Sequence, residues 1–165
     1  MRRGIRRGRD GVIRVALPKE ERALLAALPG QLRAALADDE PSVYRLFPPA
    51  YADDVAANVE YHRLVGESIL EGKLEALDEL ERTAHAERLA DEELECWLGA
   101  LESLRLVLGT QLAVREESYA AFDPSDPDAP RLALYHWLSW LQEEVVGALS
   151  DALPAHEGEG EPADA

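Results

Sequence analysis

The densest run of apolar positions lies between Trp97 and Val114, WLGALESLRLVLGTQLAV. Counted from Asp91, the residues Leu94, Trp97, Leu98, Leu101, Leu104, Leu108 and Leu112 recur at the 3.6-residue period of an amphipathic helix. A weaker stripe through Cys96, Ala100, Val107 and Val114 runs down the opposite side. A helix that is apolar on two sides belongs inside a bundle, so this segment is expected to be the central helix. Asp91 is its expected cap, with Glu92 and Glu93 suited to the positive end of its dipole. Three more segments carry helical periodicity. Pro18 suits the first turn of a helix in which Leu24, Leu28, Leu32 and Leu36 recur every fourth residue. Pro29-Gly30 interrupts that stripe, and an interior proline costs about 3 kcal/mol, which predicts a kink or break at residues 28–30. Residues 53–83 predict a long helix capped by Asp53 or Asp54, with a stripe through Val55, Val59, His62, Gly66, Ile69/Leu70, Leu74, Leu77 and Leu80. Residues 131–153 predict a last helix whose apolar arc holds Leu134, Trp137, Leu138, Trp140, Leu141, Val145, Ala148 and Leu149.

The remaining stretches follow other patterns. Residues 5–17 predict a β-hairpin, because Asp10-Gly11 is a strong turn dipeptide beside the β-branched Val12, Ile13 and Val15. A lone hairpin is marginal in water, so it must lean on the helices or on a partner. Residues 42–54, SVYRLFPPAYADD, are too apolar for a solvated linker. Two readings are open for Tyr44, Phe47 and Tyr51: a plug for the end of the bundle, or a partner surface. Residues 84–90 predict a polar linker, 115–130 a surface loop, and 154–165 a disordered acidic tail. The expected fold is mainly α, a four- to five-helix bundle with a short amino-terminal β-hairpin. Residues 1–153 would form one helical domain, of which 1–17 is a basic arm.

Charge changes the picture more than composition does. The formal net charge is −16 over 165 residues. Residues 1–15 nevertheless hold six arginines (Arg2, Arg3, Arg6, Arg7, Arg9 and Arg14) against Asp10 alone, a net of +5, which leaves −21 on the rest. Such a body repels nucleic acid at long range, so only the arm is electrostatically suited to phosphate. Arg2, Arg3, Arg6, Arg7 and Arg9 are therefore candidate contacts to nucleic acid or to a polymerase. The competing reading makes them a solvated strand face paired with the acidic body.

Candidate chemistry is sparse. Cys96 is the single cysteine, which excludes an internal disulfide and suits a reducing, cytoplasmic setting. No apolar run approaches the roughly 20 residues that cross a bilayer, and the basic start lacks the apolar segment of a secretion signal. His62, near Glu60 and Glu67, has no second histidine at helical spacing and reads as a half-buried core residue rather than a metal ligand. No nucleophile elbow, phosphate loop or zinc signature is present, so the expectation is a non-enzymatic protein without a cofactor. Arg105 falls on the apolar face of the central helix and is expected to be a buried charge held by a carboxylate of another helix or by the polar end of the bundle. Trp140, at the edge of its arc, could serve an interface.

Three stretches together carry a resemblance: RLFPPAY (Arg45–Tyr51), WLGALESLRLVLGTQLAV (Trp97–Val114) and YHWLSWLQEEVV (Tyr135–Val146). With the arginine-rich start and its RDG (Arg9–Gly11), they are similar to an actinobacterial family of AosR-type oxidative-stress transcriptional regulators, long described only as a domain of unknown function. The resemblance covers most of residues 2–150. It implies a redox-linked transcription factor that works with RNA polymerase and a stress sigma factor; promoter DNA is a further candidate partner, through the charge of the arm. A disulfide sensor needs paired cysteines, and this chain has Cys96 alone; that thiol could join two chains into a homodimer or form a sulfenic acid. Neighbouring Glu93 and Glu95 disfavour its thiolate, so an inert, partly buried thiol is the expectation. The alternative function is a protein-interaction module or adaptor that never touches DNA.

Overall fold

The two apolar sides of the central segment are both used. The computed structural model describes residues 2–47, 53–112 and 124–152. It places strands β1 (Gly4–Arg7) and β2 (Ile13–Ala16) first, then helix α1 (Lys19–Ala37) and a 3-10 helix (Pro41–Leu46). Helix α2 (Val55–Thr83), strand β3 (Arg88–Leu89) and helices α3 (Asp91–Gln111) and α4 (Ala129–Ser150) follow. The protein is mainly helical, with an antiparallel hairpin ahead of the helices. Helix α3 packs against α2, α4 and the 3-10 helix. It buries Leu94, Trp97, Leu101, Leu104 and Leu108 on one side and Ala100, Ser103 and Val107 on the other. Its first turn is closed by Glu93, which accepts the Ala90 N–H at 2.8 Å. The N-cap position is Ala90, so Asp91 is not the cap; its carboxylate is engaged elsewhere.

The hairpin gains a third strand. Residues 84–90 are not simply a linker, because β3 pairs antiparallel with β2, with Ile13 opposite Leu89 and Arg14 opposite Arg88. Two residues of strand are too short to show a period-2 pattern, which hid β3 in the sequence. Ile5, Ile13, Val15 and Leu89 are buried and join the same core cluster as the helices. The turn uses Gly11 at φ +77° and is closed by Gly8 N–H to the Val12 carbonyl at 2.9 Å. Burial of its inner face is what makes so small a sheet stable.

Helix α1 runs unbroken through Pro29-Gly30, contrary to the expected kink or break. Pro29 is buried with Leu25, Leu28 and Leu32, so the packing of that face offsets the lost hydrogen bond. The segment after α1 is more ordered than a loop: Val43 and Leu46 of the 3-10 helix are buried, and Phe47 packs against the core. Val43, Leu46 and Phe47 supply this packing, while Tyr44 is 61% exposed. Tyr51 and Val114 lie outside the described residues, as do residues 154–165 and the 115–123 part of the expected surface loop.

Helix α2 starts at Val55 with the Asp54 carboxylate accepting the Ala57 N–H at 3.0 Å. Its predicted stripe is buried only at Leu77 and Leu80, while Val55 and Val59 are exposed. At 29 residues the helix is about 43 Å long, and α1 and α3 cover its second half. Gly66 and Gly72 face open space rather than a neighbouring helix. Helix α4 begins at Ala129 with Pro130 in its first turn, buries Leu138, Leu141, Val145 and Ala148, and adds Tyr135, which the apolar arc had not included.

Candidate interaction surface on the amino-terminal sheet

The arginines of the arm divide into two groups. Arg3 and Arg7 are consumed within the fold. Arg3 pairs with Glu21 and lies over the Trp140 ring, 4.2 Å from its centroid. Trp140 is thus covered by the arm rather than presented to a partner. The Arg7 side chain is only 11% exposed and forms an ion pair with Asp91 at 2.7 Å. It also donates to the carbonyls of Ala148 at 3.1 Å and Gly11 at 3.0 Å. One guanidinium therefore joins the hairpin turn, the amino-terminal turn of α3 and the carboxy-terminal turn of α4, where a cation complements the exposed carbonyls. The edge of β1 is closed as well: Glu144 of α4 accepts the Ile5 N–H at 3.1 Å. Gly4, at φ +137°, leaves the space the Glu144 carboxylate fills.

Two residues that the sequence did not single out complete this frame. Arg22 of α1 donates to three backbone carbonyls, Leu17 at 3.0 Å, Ala86 at 2.6 Å and Val15 at 2.7 Å. Glu21 and Arg22 thereby fix the sheet to the start of α1. The Arg22 bond to Ala86, 64 positions away, and the Glu21 pairing with Arg3, 18 positions away, are relations that no local spacing encodes.

Arg2, Arg6 and Arg9 remain exposed, and no hydrogen bond or ion pair holds them among the described residues. The register then reveals a juxtaposition invisible in the sequence. Arg6 pairs across from Arg14, and Arg14 across from Arg88, so one arginine from each strand lies in a row over the outer face. Strands are about 4.8 Å apart, which makes the row about 10 Å wide. Arg14 is bound by Asp10, whose Oδ1 lies at 3.0 Å from Nη1; this pairing and the Val12 N–H hold the Asp10 carboxyl well below the usual carboxylate range. Arg6 and Arg88 flank that pair with no hydrogen bond or ion pair of their own among the described residues. Glu143 and Asp151 of the α4 end share a shallow cavity with Arg6 but form no ion pair with it.

The other predicted residues are dispersed. Cys96 is half-buried on α3, and burial together with Glu79, Glu95, Glu75 and Glu93 pushes its thiol pKa up. Arg105 is half-buried rather than interior. Its partner is an amide, Gln142, accepting at 3.0 Å, and the Tyr135 ring lies 5.8 Å away; no carboxylate among the described residues holds it. Tyr44 sits beyond the far end of α3, with its hydroxyl 3.3 Å from Arg45 Nε. No group of three or more metal-ligating side chains occurs among the described residues, and no described helix is long and apolar enough to cross a membrane.

Comparison with known families bears on the whole of this frame. The model of DUF2017, a domain of unknown function, matches residues 1–149, from before β1 almost to the end of α4. The chain belongs to this family. No curated protein matches it, and no solved structure does. The DUF2017 match takes in both the sheet and the bundle, and so includes Arg6, Arg14 and Arg88 together with the helices that carry them.

Proposed function

We propose that the protein is a non-enzymatic regulator of transcription in the oxidative-stress response, acting through contacts with RNA polymerase or a stress sigma factor. The resemblance of the three motif stretches to AosR-type regulators supplies the biological setting. The observation that carries the protein-contact part is the state of the arm: it is a sheet docked on α1, α3 and α4, with Arg3 and Arg7 tied into the fold. A docked sheet presents charge at fixed positions, which suits a protein surface. Groove-reading arms work differently, by threading free arginines into the nucleic acid. The net charge of −21 outside residues 1–15 points the same way.

Redox control in this reading is not placed on Cys96. Burial and the neighbouring carboxylates raise its pKa and so disfavour the thiolate, which is the form that attacks peroxide. The experiment is affinity capture by the full chain with and without peroxide, scoring polymerase, sigma factor and promoter DNA separately. Recovery of polymerase or sigma factor without promoter DNA is expected. Promoter DNA alone would restore the DNA-arm reading, and recovery of neither would favour an adaptor outside transcription.

A further inference from the structure

Like charges directly opposite one another across strands are destabilising, yet the outer face of this sheet holds three arginines in register. Asp10 offsets the central one; Arg6 and Arg88 are exposed and form no ion pair among the described residues, although Glu143, Glu144 and Asp151 line a cavity beside Arg6. The inner face cannot relieve them, because Ile5, Ile13, Val15 and Leu89 fill it. An anionic group seated on the row would relieve the repulsion and gain charge-assisted, bidentate hydrogen bonds from guanidinium forks.

Two kinds of anion have that chemistry, and the surroundings choose between them. Single-stranded nucleic acid is held by aromatic platforms on which bases stack, and the outward positions of the strands here are Arg6, Arg14 and Arg88 with the small Ala16, Gly4 being covered by Glu144. A duplex is about as wide as a small domain and would extend past the sheet over the acidic body, whose net charge outside residues 1–15 is −21. A protein segment is narrow and carries fewer charges. Its carboxylates recur at about 5–6 Å on one helix face and at about 6.6 Å on one strand face, matching a row about 10 Å wide.

We infer that the row Arg6–Arg14–Arg88 is a docking site for an acidic protein segment bearing two or three carboxylates. This gives the protein-contact reading above a location, and it stands or falls independently of whether the partner belongs to the transcription apparatus. The occupant crosses the strands, places carboxylates on Arg6 and Arg88, and leaves the Asp10–Arg14 pair in place beneath it.

The test measures fluorescence anisotropy of a labelled peptide with glutamate at alternate residues, and of single-stranded and duplex oligonucleotides of matched charge, against the full chain. The peptide is expected to bind and to weaken between about 50 and about 200 mM salt. Arg6→Glu with Arg88→Glu should weaken it by at least about tenfold, and Arg6→Lys with Arg88→Lys by less. Chemical-shift mapping on the unmodified chain is independent of how any variant folds; peptide should move the backbone amides of residues 6, 14 and 88. Peptide binding that survives charge reversal overturns the proposal. Shifts confined to another face, or an oligonucleotide that binds more tightly than the peptide, overturn it equally. Capture of polymerase by the Arg6→Glu, Arg88→Glu variant would sink the docking site while leaving the transcription role intact.

Discussion

At the scale of single residues, the fold depends on polar groups that hold sheet and helices together. The Trp97 indole N–H donates to Thr83 Oγ1 at 2.7 Å, and that hydroxyl donates to the Glu79 carbonyl at 2.6 Å. Thr83 and Trp97 are both buried. Thr83→Val keeps the shape but leaves the indole unpaired, and should cost about 1–3 kcal/mol in urea unfolding; no loss would mean that the relay contributes nothing. Asp10 offers a test by pH. Its folded pKa is depressed by Arg14, so its contribution to stability is present above the ordinary carboxylate pKa and fades as pH falls through the folded value. Carboxyl carbon shifts should place Asp10 well below other exposed aspartates, and Arg14→Ala should bring it back. For Cys96 the direction is opposite, upward: alkylation by iodoacetamide near neutral pH should be slower than for free cysteine, and parity with free cysteine would reopen its candidacy as a sensor. The Trp97–Thr83 pair, 14 positions apart, could not be read from local spacing, whereas Asp10 and Arg14 are four apart and Glu93 and Glu95 lie beside Cys96 in the sequence. Arg105 illustrates the limit: its position on an apolar face was legible, its partner Gln142, 37 positions away, was not.

At the scale of elements, periodicity was a good guide wherever a helix is long and two-sided. The main apolar stripe of α3 became a buried face, the weaker one is buried at Ala100 and Val107 and half-buried at Cys96, and the arc of α4 became its core contact. It failed where tertiary packing overrides local preference, as at Pro29 inside α1, and where an element is too short to have a period, as in β3. Amphipathicity also overstated α2. Val55 and Val59 carry the stripe into a region that α1 and α3 do not cover, so Val55→Ala with Val59→Ala should change stability by no more than about 0.5 kcal/mol. A larger loss in thermal unfolding would require that this end be covered, and sedimentation would show whether a second copy covers it. The α3–α4 crossing is the opposite case. A Cβ added at Gly109 would lie 3.0 Å from the Tyr135 ring, so Gly109→Ala should cost about 1–3 kcal/mol through overpacking. Gly109 is therefore set by the neighbouring helix rather than by a turn.

At the scale of the molecule, the amino-terminal segment changes character. Its charge marks it as an arm, yet Ile5, Ile13, Val15 and Leu17 sit in the common core. Deleting residues 1–17 should therefore unfold the bundle as well as remove the arginines, and circular dichroism on the truncated chain would show lost cooperativity. The row of arginines could be found only through strand register, because Arg6 and Arg88 are 82 positions apart in a chain whose overall charge is strongly negative. Charge counts located the basic region; pairing determined which of its members face outward.

The clasp between Arg7 and the last turn of α4 has a consequence in time. Ile5 meets Glu144, and Arg7 meets Ala148, 141 positions further along the chain. During synthesis at about 5–20 residues per second, the hairpin leaves the ribosome roughly 10–30 s before its flank exists. Until then the inner face of β1 and the Ile5 N–H are exposed to other nascent or chaperone surfaces. Completion of the fold waits on α4, and a stalled chain lacking that helix would present an unlatched, arginine-rich hairpin on an unfinished bundle.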